Sequence, residues 1–201
     1  MRLVLALLLV PMVAHADVDW AKGLVTAPGV GVADRHAPNP AVARGTSRRV
    51  AEDAARAKLA TEIAALPVAG GGKVGDKAKD AGVKDRLAAA VAHAIEVTAE
   101  PETDGAWRVT MAVPIEAVRQ AIGEGPRALG DKGDAPPAVV VVDGVAGKPV
   151  VGAVGAASVW VTAVPAWAAD APHVTGKRGK GGAIEGIELQ PQALYVIVGK
   201  P

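Results

Sequence analysis

The first residues whose type and spacing suggest chemistry are two glycines one residue apart, in the run Ala27-Pro28-Gly29-Val30-Gly31-Val32-Ala33-Asp34. A dinucleotide-binding loop carries G-x-G-x-x-G between a strand and a helix, because backbone must come close to pyrophosphate. Here Asp34 stands where the last glycine belongs. The same run also reads as a strand, with Val30 and Val32 on one face and Gly29, Gly31 and Ala33 on the other. A face of such small residues admits close approach by another element, and the strand is the preferred reading. A phosphate loop at Gly72-Lys73 fails as well, since Val74 follows where a Ser or Thr must hold magnesium.

The remaining candidates for chemistry are few. Beyond the first sixteen residues there are three histidines, His36, His93 and His173, and none has a metal-ligand spacing such as H-x-x-x-H. The serines are Ser47 and Ser158, and neither lies in G-x-S-x-G. Ser47 reads as a helix cap and Ser158 as a strand start. Glu96 and Glu100 project from one strand face, opposite Arg108, as a solvated charge pattern. No catalytic residue, no metal ligand and no cofactor-binding residue is therefore expected. Two surface features stand out as partner contacts. Lys177, Arg178 and Lys180 form the densest basic patch of the C-terminal region, suited to an anionic envelope polymer or lipid head group. Trp167, after Pro165, is a candidate exposed aromatic, whereas Trp160 alternates with valines and belongs in a core.

The elements that must position these residues follow from periodicity. Residues 35–40 are a proline-punctuated loop. A long helix follows, with Ala51, Ala55, Leu59, Ile63 and Leu66 on one face, Thr46 or Ser47 capping its main body if Gly45 breaks the first turn, and Pro67 as its stop. Residues 67–82 lack an apolar period and read as a mobile loop. A second helix carries Val83, Leu87 and Val91. Two alternating runs around Asp104-Gly105 predict a β-hairpin with Val97 opposite Val109 and Ala99 opposite Trp107. A short helix opens at Pro114. Residues 123–137 are a linker. Strand-like runs follow: 138–144, 148–154, 157–164 and 193–199, the first and last apolar on both faces and so placed mid-sheet. Residues 171–186 read as an exposed loop.

The chain opens MRLVLALLLVPMVAHA: one basic residue, an apolar run too short to span a membrane, then Ala14-His15-Ala16 as a small-x-small cleavage site. Residues 1–16 are expected to be a secretory signal peptide. Without them the chain holds 21 basic and 21 acidic residues, a balance that argues against a nucleic-acid partner. Cysteine is absent, so there is no disulfide framework and no thiol for lipidation. Phenylalanine is absent and aromatics make up 2% of residues, so the core must be built from Val, Leu, Ile and Ala.

The order of glycine-bearing strand (GVGVAD, 29–34), Ala- and Arg-rich helix (ARGTSRRVAEDAARAKLATEI, 43–63) and D-G hairpin (IEVTAE…DGAWRVTMAVPIEAV, 95–118) resembles the LPP-twenty lipoproteins and the related N-terminal domain of a flagellar envelope protein. The likeness covers roughly half of the chain. It implies a two-layer α+β domain in the bacterial cell envelope and carries over no catalytic residues. The chain departs from those lipoproteins in lacking the lipobox cysteine. VVVVDGVAGKPVV also resembles a D-x-x-G-x-x-x-x-P segment that sometimes follows the domain. The expectation is α+β: an α+β domain over 17–122, with a long helix on a small antiparallel sheet, a linker over 123–137, and a small β-rich module over 138–201. Its expected role is non-catalytic. It binds an envelope protein or polymer in the periplasm or outside the cell, as an accessory part of an envelope or flagellar assembly, without a transmembrane anchor after cleavage. A homo-oligomer is a further possibility, and an exported hydrolase is the alternative.

Overall fold

The computed structural model describes residues 16–123, 138–190 and 193–200. The expected signal peptide, except Ala16, and the expected linker, except Gly123, lie outside the described residues.

The fold is α+β. The first layer is an antiparallel sheet of β1 (Asp17–Asp19), β2 (Leu24–Gly31), β3 (Ile95–Pro101) and β4 (Trp107–Pro114), in the order β1-β2-β4-β3. Across one face lies α1 (Pro40–Ala65). Asn39 opens it, its side chain accepting from the Val42 N–H at 3.0 Å, and Pro40 takes the first position, where no N–H is needed. Pro67 holds Leu66 extended and ends it. The helix thus starts about two turns earlier than a cap at Thr46 or Ser47 would place it, and Gly45 does not break it. Its buried stripe is Ser47, Ala51, Ala55, Leu59 and Ile63.

The glycine strand explains how closely these layers meet. Val25, Ala27, Gly29 and Gly31 of β2 face α1, while Val30 is half exposed on the other side. A Cβ at Gly29 would overlap the Ala51 carbonyl oxygen and lie 2.6 Å from the Ala55 nitrogen. One at Gly31 would overlap the Ser47 carbonyl and lie 2.7 Å from the Ala51 nitrogen. Helix backbone rests directly on strand backbone here. Ser47, wholly buried, shares its hydroxyl proton between Gly105 O (2.9 Å) and Arg44 O (3.0 Å), tying the helix to the hairpin turn.

The hairpin's register differs from the expected one by two residues. Ala99 faces Val109 and Pro101 faces Trp107, and the register shifts at Val97. Ala99 keeps its place on the helix side, but the irregularity leaves Ile95 and Val97 exposed at the sheet edge instead of in the core.

After α1, residues 67–82 are not a featureless loop. Val68 and Val74 are buried, Pro67 and Lys73 bridge, and α2 (Val74–Lys77) forms a single turn. It leads to α3 (Ala81–Ala92), capped by Asp80. After β4, α4 (Ile115–Ile122) buries Ile115 and Val118.

The second sheet is parallel throughout. It comprises β5 (Val139–Ala146), β6 (Ser158–Val161), β7 (His173–Thr175) and β10 (Leu194–Lys200) in the order β6-β10-β5-β7. The two runs apolar on both faces, β5 and β10, do lie in the middle. Val140, Val142, Trp160, Tyr195 and Ile197 pack on one face; Val141 and Val196 pack on the other against Ala168. Residues 148–154 supply no strand to this sheet, only a bridge from Val151 to Val68. Residues 171–186 hold β7, β8 (Lys177–Arg178) and β9 (Ile184–Glu185), with Gly176, Gly182 and Ile184 buried, so they are not an exposed loop. The two sheets are tied at Trp20, whose carbonyl accepts from Trp160 N at 3.0 Å, and at Val151, which exchanges backbone bonds with Pro67 and Ala69. A Cβ at Gly181 would overlap Gly70, so two glycine-rich loops touch across this seam.

No helix among the described residues is long and apolar enough to cross a membrane.

Candidate functional site

The surface residues nominated from the sequence are not gathered in one place. Trp167 is 60% exposed, in a one-turn 3-10 segment (Ala166–Ala168) whose Ala168 packs beside Val141 and Val196. Lys177 and Lys180 are exposed. Arg178 is turned inward: its guanidinium lies 5.7 Å from the Trp160 ring centroid and donates to Lys148 O (2.7 Å) and Ala146 O (3.3 Å). Arg178 clamps loop carbonyls against the Trp160 face of the second sheet, which is the face opposite Ala168. Trp167 and the basic loop therefore belong to different sides of that sheet.

Glu96 and Glu100 do not form a pair either. The register shift turns Glu96 toward α1, where it accepts from Arg48 at 2.8 Å, while Glu100 stays level with Arg108. Arg48 also reaches Glu52 at 3.2 Å and lies 5.2 Å from the Trp107 ring centroid. The Glu96 carboxylate, foremost, raises the Arg48 guanidinium's affinity for its proton. This cluster fastens α1 to the sheet edge.

One acid–base pair escaped the sequence reading. Parallel pairing of Val141 with His173 lets the His173 ring reach back to Asp143, with Nδ1 2.6 Å from Oδ2. No hydroxyl nucleophile joins them from the two serines. Ser47 is sealed on the buried face of α1, and Ser158 lies three strands away, about 14 Å at the usual strand spacing. His93 is used locally, Nδ1 lying 2.8 Å from Ala89 O at the end of α3. Among the described residues no three potential metal ligands cluster.

A recess of ligand size lies between the helices. α2 turns the chain back so that α3 returns along α1, and between them runs an open groove of about 440 Å³. Ile63, Leu87 and Val91 give it depth, and Ala60 and Ala64 of α1 face Ala88 and Ala92 of α3 across it. Such short side chains cannot fill the space between two helices whose diameters, side chains included, are about 10–12 Å. Meanwhile α3 is held on its other side, where Arg86 Nε donates to Ala121 O at 2.8 Å. The groove's lining contains two charged side chains, Arg56 and Lys84, and no carboxylate. Arg56 is paired with Asp53 (3.2 Å) and Glu52 (3.6 Å), and its Nε is buried without an acceptor. Lys84 makes no ion pair among the described residues. The sequence signal was present: alanines four apart on both helices, Ala60/Ala64 and Ala88/Ala92, mark facing small-residue stripes. Only the antiparallel return of α3 makes them face each other.

No family model, no curated protein and no solved structure matches this chain.

Proposed function

We propose that this is an exported, non-catalytic protein of the bacterial cell envelope that acts by binding, and that the groove between α1 and α3 is its binding site. The groove carries the reading. It has the volume of a ligand pocket, about 300–1,000 Å³ in general, and an apolar lining with isolated polar anchors. Apart from the Lys84 amine and the Arg56 guanidinium, its lining offers a bound molecule no titratable side chain. The likeness of the strand, long helix and hairpin to the LPP-twenty lipoproteins supports an envelope setting, and the residues 1–16 pattern supports export. An accessory role in an envelope or flagellar assembly fits a small domain whose single-site affinity is reinforced by multivalency.

One observation favours an exported hydrolase, the His173–Asp143 pair at 2.6 Å. A hydrolase of that kind needs a nucleophile within hydrogen-bond reach of the histidine, and neither serine supplies it.

The test is affinity capture of envelope extract on the purified protein, beside a variant whose groove is filled by Ala60→Leu and Ala88→Leu. The expected result is a component retained by the native protein and lost from the variant. Equal retention by both would refute the groove as the site. Turnover of esterase, phosphatase or peptidase substrates that disappears in His173→Ala would replace the binding reading with the enzymatic one.

A further inference from the structure

We infer that the groove holds an anionic amphiphile: a single apolar chain lying along the α1–α3 seam, with a carboxylate or phosphate head on Lys84. This rests on the binding reading above and adds the chemistry of the ligand. From Arg56 to Ala64 on α1, and from Lys84 to Ala92 on α3, is eight residues each, about 12 Å of helix. Because the helices run antiparallel, Arg56 and Lys84 mark opposite ends of one slot. Between them the walls are Ala60, Ala64 and Ala88 over Ile63 and Leu87, a strip that hydrogen-bonds to nothing and gains only by covering apolar surface.

The charges decide what sits at the ends. Arg56 already shares its guanidinium with Asp53 and Glu52, so it serves the slot mainly through its aliphatic stem. Lys84 is exposed, carries no ion pair among the described residues, and meets no carboxylate in the lining. A cationic amphiphile would meet an uncompensated like charge there, and a neutral one would leave the ammonium unused. The shallow alanine walls and the short slot suit one extended chain better than the side chains of a docked helix, which makes a helical protein partner the competing outcome.

The experiment is isothermal titration of the purified full chain with laurate, lauroyl lysophosphatidate, dodecanol and dodecyltrimethylammonium, each below its micelle-forming concentration. The proteins are native, Lys84→Glu, Ala60→Leu/Ala88→Leu, and Ala57→Leu as an exposed control outside the groove. Native protein should take up one equivalent of either anion, and Ala57→Leu should match it. Lys84→Glu should weaken the anions about tenfold while leaving dodecanol within about twofold, and the filled groove should bind none. Tighter laurate than lysophosphatidate identifies a free acid as source; the reverse identifies a lipid. If dodecanol or the cation binds native protein as tightly as laurate, or Lys84→Glu changes nothing, the anionic class is overturned while the groove stands. If no amphiphile binds but an envelope protein is captured by native and not by filled-groove protein, the occupant is that protein. If no amphiphile binds and capture is the same for both, the binding reading falls too.

Discussion

Replacing Gly29 by alanine tests how α1 is seated. The backbone at Gly29 lies outside the left-handed region, so alanine meets no conformational penalty there. The obstacle is steric: the new methyl falls on the Ala51 carbonyl and 2.6 Å from the Ala55 nitrogen. Overpacking costs about 1–3 kcal/mol where side chains can turn aside. Backbone of a helix cannot, so α1 must retreat by roughly 1 Å, and a gap of that size forfeits about a quarter to a half of the dispersion energy of each facing contact. The retreat is shared by Ala51, Ala55, Leu59 and Ile63, all buried on this face. A net loss of about 3–4 kcal/mol is expected, after less than about 1 kcal/mol regained because the unfolded chain is stiffer. Gly45→Ala provides the contrast. It lies within the same helix with nothing within 4 Å of an added Cβ, and should stabilise by about 0.5–1 kcal/mol. Urea titration of the three proteins reads both effects. A Gly29→Ala midpoint within about 0.5 kcal/mol of the parent would refute backbone-on-backbone seating. Because the overlap is with backbone, removing the Ala51 methyl should not rescue it, and a Gly29→Ala/Ala51→Gly double variant should be less stable than either single one.

Other outcomes follow from the same geometry. Leu59→Ala, in the sealed part of the stripe, should cost about 2–5 kcal/mol, whereas Arg56→Ala, at the groove, should stay within about 1 kcal/mol of the parent in the same titration. Ser47→Ala removes the proton donated to Gly105 O and should cost about 1–2 kcal/mol; a neutral effect would show that this buried bond does not hold the helix to the turn. The Lys73 backbone N–H, followed by the Lys79 charge, holds the Asp76 carboxyl below its usual 3.8. Its folded value lies below its unfolded one, so its support of α2 is complete above pH 3.8 and is lost as pH falls through the folded value. The protection factor of the Lys73 amide, its exchange rate compared with that of an unprotected amide at the same pH, should fall only on such acidification, and Asp76→Asn should abolish that dependence.

Much of the first sheet was legible because its signals are local. The Ala51–Leu59–Ile63 stripe repeats within one helix, and Gly29 and Gly31 alternate within one strand. Ser47 was misread because a serine two residues after a glycine looks like a cap, and its true partner, Gly105, lies 58 residues away. Alternation put Ala99 on the right face but paired it with Trp107 instead of Val109, two residues out, and at Val97 the irregularity absorbs a residue that alternation cannot reveal. The His173–Asp143 pair and the groove share one cause of invisibility. Each needs two segments brought side by side by topology: parallel pairing of β5 with β7, and the return of α3 along α1.

The strand order β6-β10-β5-β7 bears on how the chain acquires this shape during vectorial emergence, whether from a ribosome or from a translocation pore. β5 and β6 have no bonds to each other in the sheet; β10 joins them, and it comes after all other strands in chain order. Until it arrives, the Trp160 strand and the Val140–Val142 strand are two separate edges with nothing between them. The sheet closes through contacts of long sequence separation, which are slow to form. Until that final insertion the valines that β10 covers stay uncovered, a surface that a chaperone can hold.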